Sequence, residues 1–175
     1  MKNIYYLALL VSLFAIACNS KPKEEFEPAL NSTVTSFSDT LKLDTFKVAL
    51  QGSTPKTSTL QFSIISYKGK EIYKANIKAE DLLKANQNLK TDSEKMKYLN
   101  NQVLFFFEED HFIWPAVMPD EKADENVPDK AFHEELKKTK LNGFNYRLGK
   151  EAKIYIAWSE KEQKVKVFYQ THDTF

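Results

Sequence analysis

The chain has 175 residues, 42% of them hydrophobic and 13% aromatic, which suits one domain with a packed core and excludes a disordered chain. Twenty-five lysines and arginines against 24 aspartates and glutamates give a net charge of +1, so no electrostatic footprint for nucleic acid is present. Four glycines argue against glycine-rich nucleotide loops and solenoid β-helices, and no internal repeat is visible.

The first eighteen residues, MKNIYYLALLVSLFAIAC, hold one early cation (Lys2), an apolar run from about Ile4 to Ala17, and the chain's only cysteine. A charged start, a short apolar core and small residues at its end form the secretory signal pattern. The run is shorter than the roughly 20 apolar residues a membrane-spanning helix needs. Its end, Ala15-Ile16-Ala17-Cys18, resembles the lipobox of bacterial lipoproteins, departing from it at Ala15, where leucine is commoner. The resemblance implies that residues 1–17 are a cleaved signal peptide and that Cys18 is acylated through its sulfur. The alternative is an ordinary cleaved signal with Cys18 a spare residue beside an Ala-x-Ala site. A lone cysteine has no disulfide partner, and an unpaired thiol in an oxidising compartment is a liability that acylation removes. Each buried CH₂ contributes about 0.8 kcal/mol, and stable attachment takes two or more chains, the number the resemblance implies.

Residues 18–36 then read as a lipidated tether, polar, charged and proline-containing. Within it, Lys23-Glu24-Glu25-Phe26-Glu27 resembles the acidic export tag with which some Gram-negative bacteria send lipoproteins to the outer leaflet. The bland alternative is a solvated linker. Residues 37–175 are expected to form a single globular domain.

In the domain, Leu41 and Leu43 alternate, and Phe46, Val48 and Leu50 alternate on the opposite parity. That shift predicts a bulge or break near Asp44-Thr45 between two short strands. Residues 51–58, with Gly52 and Pro55, form a turn. Leu60, Phe62 and Ile64 mark a strand that Lys68-Gly69-Lys70 reverses into a partner over Ile72–Ile77. Ala79–Ala85 reads as a short helix with its acids first. A second helix opens at Thr91-Asp92, capped by Asp92 or Ser93, with Met96, Leu99 and Val103 on one face. Val103–Phe107 is ambiguous between helix and buried strand. A strand is favoured, turning through residues 108–111 into Phe112-Ile113-Trp114, which Pro115 and Pro119 end. After an acidic loop over residues 119–128, Asp129 caps a helix carrying Phe132 and Leu136, closed by Asn142-Gly143. Phe144/Tyr146/Leu148, Ile154/Ile156/Trp158 and Val165/Val167/Tyr169 then form a three-stranded meander with Lys164 and Lys166 on its wet face.

The chemistry-bearing residues point to few sites. His133-Glu134-x-x-Lys137 lacks the second imidazole of a zinc-protease helix, and Lys137 cannot ligate while protonated, so a solvated helix face is expected. The segment from Glu108 to Glu135 holds ten carboxylates against two lysines. Asp120, Asp124, Asn126 and Asp129 nevertheless lack calcium-loop spacing and a glycine, so a solvated loop is expected. His111, His133 and His172 are scattered, and no nucleophile elbow or phosphate-loop pattern exists. No catalytic residue, metal ligand or cofactor is therefore assigned. Trp114, Trp158 and Phe105–Phe107 read first as core, and an exposed tryptophan would mark an interaction surface. Asp39-Thr40-Leu41, and more loosely Asp44-Thr45-Phe46, resemble the acceptor of a bacterial O-glycosylation system.

These features predict an α+β domain. Its antiparallel sheet has about six to eight short strands, including the C-terminal three-stranded meander, with two or three short helices on one face. The C-terminal run resembles small envelope lipoproteins of gliding and gut-type Gram-negative bacteria, a likeness that carries no activity. The function expected is a non-enzymatic binding module, held in the outer membrane by lipid on Cys18 and facing periplasm or cell surface. An envelope protein or glycan would be its partner. The alternatives are a structural subunit of an envelope complex and, last, an enzyme.

Overall fold

The computed structural model describes residues 29–171. Cys18, the stretch at Lys23, Glu24, Glu25, Phe26 and Glu27, and His172 lie outside the described residues. Two four-stranded antiparallel sheets and three α-helices make the domain α+β. The first sheet runs in chain order through β1 (Leu30–Ser36), β2 (Leu43–Gln51), β3 (Thr59–Ile65) and β4 (Glu71–Lys78). The second runs through β5 (Phe112–Ile113), β6 (Gly143–Arg147), β7 (Lys153–Ser159) and β8 (Lys164–Thr171). The helices are α1 (Ala79–Leu83), α2 (Asp92–Leu104) and α3 (Lys130–Thr139).

The strand count and the C-terminal meander are close to expectation, but the single expected sheet is two. Alternation along a strand identifies a buried face without naming what covers it. Here the two sheets cover each other. Phe62 of β3 sits at the centre, its ring centroid 5.3 Å from Phe144, 5.4 Å from Tyr146, 5.7 Å from Tyr73 and 5.1 Å from Phe106. Phe46 of β2 meets Phe144 at 5.3 Å and Phe112 at 5.8 Å, both edge-on. Edge-to-face rings add about 0.5–1.5 kcal/mol per pair beyond their buried area.

Nor do the helices share one face. α2 packs against β1 and β2, whereas α3 packs on β7. α2 starts from a capping box at Thr91, one residue before the expected caps: Thr91 Oγ1 accepts from Glu94 N at 3.2 Å, and Glu94 Oε2 accepts from Thr91 N at 2.9 Å. Met96, Leu99 and Val103 are its buried residues, as their spacing predicts. The strand expected at Val103–Phe107 does not form. The helix continues to Leu104, and Phe105 N–H donates to Asn101 O at 2.9 Å. Phe106 and Phe107 then wedge into the ring cluster, satisfying an apolar run whose periodicity left its conformation open. The partner strand expected at Phe112-Ile113-Trp114 shrinks to the two residues of β5 and pairs with β6 instead.

Two further expectations fail for reasons of parity and pairing. Residues 30–36, assigned to the tether, are β1, paired along its whole length with β2. Its exposed Leu30 and Val34 alternate with half-buried Asn31 and Thr33, the reverse of an amphipathic strand, so composition hides it. Asn31 Nδ2 donates to the carbonyls of Val103 and Leu104 at 3.2 and 2.8 Å, tying the strand to the end of α2. Leu41 and Leu43 do not form an inward strand, being 89% and 57% exposed. β2 runs unbroken through Asp44, which is buried on the face of Phe46.

The second sheet is covered on both sides. Phe144 and Tyr146 face the first sheet, and the opposite face receives α3. Ser159 Oγ donates to Glu135 at 3.0 Å, and Lys166 Nζ donates to Asp129 at 2.8 Å while lying 4.9 Å above the Phe132 ring. Lys166 is therefore not on a wet face; only Lys164 is exposed. Its bond holds the Asp129 carboxyl below the usual range, and Asp129 in turn raises Lys166. Phe168 is an extra residue at the β7–β8 register shift and turns into this layer. There it closes on Gly143, where an added Cβ would stand 3.0 Å from the Phe168 ring. Gly143 thus belongs to β6, and α3 ends earlier, on Lys140 at φ 55°.

Tyr73 and Tyr146 meet hydroxyl to hydroxyl at 2.6 Å, and burial pushes both phenols up. Raised values mean that the folded chain keeps these protons as the unfolded chain loses its own above about pH 10, so stability falls as pH rises from there. Tyr146→Phe should cost about 1 kcal/mol at pH 7 and make that alkaline fall shallower, read as urea-unfolding free energies from pH 7 to 11. By the same measurement at pH 7, Phe62→Ala should cost about 3–5 kcal/mol, whereas Leu41→Ala should stay within about 0.5 kcal/mol.

Candidate functional site

The turn after β3 and the turn after β7 lie at the same end of the two sheets, and an open cleft of about 580 Å³ separates them. Ser66, Tyr67, Lys68 and Lys70 of the first turn form one wall, and Trp158, Glu160 and Gln163 the other, with Ser38 at the margin. Both turns are fixed by local chemistry. Ser66 N–H donates to Lys70 O at 2.8 Å and Gly69 N–H to Ser66 O at 2.7 Å, with Gly69 at φ +78°. Opposite, Glu162 N–H donates to Ser159 Oγ at 3.0 Å and Lys161 N–H to Glu135 at 3.2 Å, fastening that turn to α3.

Asp44 holds the first wall in place. Its buried carboxylate accepts Ser38 N–H at 2.6 Å, Ser38 Oγ–H at 3.0 Å and Tyr67 N–H at 2.8 Å. One side chain of β2 thereby ties the loop of residues 37–42 to the turn of residues 66–70. Burying a carboxylate is costly unless it is hydrogen-bonded, and three donors meet that requirement.

The cleft's charge is mainly cationic. Lys42 Nζ and Lys68 Nζ lie 4.4 and 5.3 Å from the Tyr67 ring centroid. Among the described residues, lysine ion pairs within 4 Å involve Lys84, Lys137, Lys150, Lys164 and Lys166, leaving Lys42, Lys68 and Lys70 without a carboxylate partner. Glu160 is the one acid lining the cleft.

Of the two tryptophans singled out from the sequence, Trp158 lines this cleft at 9% exposure. Trp114 is 54% exposed and stacks parallel on Phe112 at 5.9 Å, outside the cleft lining. Sequence reasoning missed Tyr67, Lys68 and Lys70, which announced only a turn, and Asp44, whose one signal was an acid in the inward register of Phe46 and Val48.

The histidines are not brought together. His111 lines a smaller pocket of about 170 Å³ with Glu108, Tyr146 and Arg147. Its Nδ1 lies 2.8 Å from Phe106 O, and Asp110 Oδ1 stands 3.9 Å from Nε2. The one hydroxyl in that lining, on Tyr146, is engaged by Tyr73. His133 corrects the expected solvated helix face: it is buried, with both ring nitrogens lacking a hydrogen-bond partner. Glu121 Oε1 and Glu134 Oε1 stand 3.9 and 3.8 Å from its Nε2 and Nδ1, and Glu134 also pairs with Lys137 at 2.8 Å. Among the described residues no three His, Cys, Asp or Glu side chains form a group that could hold a metal ion. In the acidic segment, Asp129 accepts Phe132 N–H at 3.0 Å as the cap of α3, and Asp124 accepts Asn126 N–H at 2.8 Å.

Of the two glycosylation-like triplets, only one is presented. Thr40 is exposed in a loop where Asp39 Oδ1 accepts Leu41 N–H at 2.8 Å, while Thr45 lies within β2 between buried Asp44 and Phe46. No protein-family model, curated protein or solved structure matches this chain.

Asp44→Ala should destabilise the domain by about 2–3 kcal/mol, because two backbone donors and a hydroxyl lose a charged acceptor. Hydrogen exchange at the Ser38 and Tyr67 amides should accelerate with it; unchanged exchange there would remove Asp44 from its role as the brace of the cleft.

Proposed function

We propose that this chain is a lipid-anchored envelope lipoprotein whose folded part is a non-enzymatic binding module, with the Trp158 cleft as its ligand site. The cleft carries the reading. An open concavity edged by an indole, lined by hydroxyls and flanked by lysines that have no acid within 4 Å among the described residues suits the holding of a ligand, and its described lining has no nucleophile–base pair that would transform one. Anchoring rests on the sequence, whose signal pattern ends on Cys18. The proposed address is the outer membrane, facing periplasm or cell surface; Lys23-Glu24-Glu25-Phe26-Glu27, if it acts as the export tag it resembles, would place the module on the surface.

A second reading, a structural subunit of an envelope complex, draws on the apolar side chains around the β1–β2 hairpin. Val34 and Leu43 are 56% and 57% exposed, and Leu41 extends the patch.

Two experiments separate these readings. Expressed from the full chain, the protein should fractionate with membranes and take up an alkyne-tagged palmitate, and Cys18→Ala should abolish both. Membrane retention of the variant would overturn the anchor. A chain lacking residues 1–18, used as bait on envelope extract, should capture a protein or glycan that Trp158→Ala releases and Trp114→Ala does not. Capture lost on Val34→Glu instead would favour the second reading, and no specific capture at all would sink both.

A further inference from the structure

We propose that the Trp158 cleft takes an anionic saccharide, one whose carboxylate or sulfate groups meet Lys68 and Lys70 while its hydroxyls meet the seryl and tyrosyl side chains. The inference rests on the binding-module reading and adds the chemical class of the ligand.

Size is the first argument. A cleft of about 580 Å³ lies within the roughly 300–1,000 Å³ of small-ligand sites, and it is open, so a chain-like molecule can enter and leave it without being engulfed.

Charge is the second. Lys68 and Lys70 line the cleft and Lys42 stands beside it over Tyr67, all exposed and, among the described residues, none paired to an acid within 4 Å, against the one carboxylate of Glu160 in the described lining. Asp44 is buried and already accepts three bonds, and Asp39 Oδ1 is taken up by the N–H groups of Leu41 and Lys42 at 2.8 and 3.2 Å. Lys42 and Lys68 flank the Tyr67 ring, whose π-face attracts both. That contact holds like charges together on one wall, and an anion between the walls would relieve their repulsion.

The lining suits a saccharide better than an acidic peptide. A peptide gains affinity by adding a strand to a free sheet edge or by seating apolar side chains in pockets. This lining offers mainly turn residues, with the hydroxyls of Ser66 and Tyr67 and that of Ser38, whose proton goes to Asp44; its apolar surface is Ile72, near the end of the edge strand β4, and the small exposed part of Trp158. Scattered hydroxyl donors and acceptors around one indole match the alternating polar and C–H surface of a sugar ring.

The test uses the chain lacking residues 1–18 and carrying Trp114→Phe, so that Trp158 is the only fluorescent indole. The probes are trigalacturonate, its neutral methyl ester, a heparin-derived tetrasaccharide and hexaglutamate, titrated in about 20 mM and 200 mM salt. Trigalacturonate or the tetrasaccharide should change Trp158 emission and bind at least tenfold more tightly at the lower salt. Lys68→Ala with Lys70→Ala should weaken that binding by about tenfold or more. Both lysines sit in an exposed turn, and an unchanged circular dichroism spectrum would show the variant folded. Equal affinity for the methyl ester, or full binding by the double variant, would overturn recognition of charge. Hexaglutamate binding as tightly as the sugars would assign the cleft to acidic peptides instead. No binding of either anionic sugar overturns the proposal outright; the binding-module reading would then stand or fall separately, on Trp158-dependent capture.

Discussion

Phe62 and Phe46 project from the first sheet into the space that Phe144 and Tyr146 fill from the second, and this aromatic seam makes one body of two sheets. Neither sheet could bury its inner face alone, because four short strands expose too much apolar surface on that side. The seam also explains the wedge at the end of α2. Phe106 and Phe107 enter between the sheets at 5.1 Å from Phe62 and 6.1 Å from Phe46, so the helix terminus belongs to the core and not to a strand. Large flat rings at edge-to-face angles fix the separation of the sheets more tightly than aliphatic side chains would, since each ring restricts its neighbours' orientation.

The cleft follows from where the seam stops. Beyond Ile64 and Ile72 the first sheet turns back through mostly hydrophilic residues, and beyond Trp158 the second does the same; Tyr67 and Trp158 stand on opposite walls there without a ring contact between them. A concavity at that end is thus the complement of the seam. Its walls stay defined because each turn is fastened elsewhere, one to Asp44 of β2 and the other to Glu135 of α3. Both fastenings are carboxylates accepting backbone N–H groups, which holds the turns while leaving their own side chains free toward the cleft.

What the sequence made legible divides along the same physical line. The β3–β4 hairpin, the α2 face of Met96, Leu99 and Val103, and the three-strand meander obey local rules: alternation, helical spacing, and turns rich in Gly, Lys and Glu. β1 broke the alternation rule because its leucine and valine point outward and its asparagine and threonine point in. Leu41 and Leu43 misled for the same reason, offering an apolar period with no burial behind it. The pairing of two sheets is a long-range fact, set by rings that are adjacent only after folding. The cleft is harder still to read, being assembled from the loop at Ser38, the turn at Tyr67 and the strand end at Trp158. Trp158 was visible as a candidate because tryptophan is informative anywhere; Lys68 and Lys70 were not, because lysines in a turn are ordinary until a second wall faces them.

Net charge illustrates how composition can conceal a field. Near-equal numbers of acids and bases argue against the broad basic footprint that nucleic acid requires. Their distribution is uneven, however. Ten carboxylates are concentrated between Glu108 and Glu135, where Asp129 and Glu135 serve α3 and the turn it braces. Among the described residues, Lys42, Lys68 and Lys70 have no carboxylate within 4 Å. A neutral chain can thus present a small cationic cleft whose field reaches about one Debye length, some 8–10 Å at physiological salt, and no further. Such a field selects a ligand already at the cleft mouth but does not steer one from a distance. That would suit the proposed module, whose lipid anchor would hold it at a surface where its ligand is abundant.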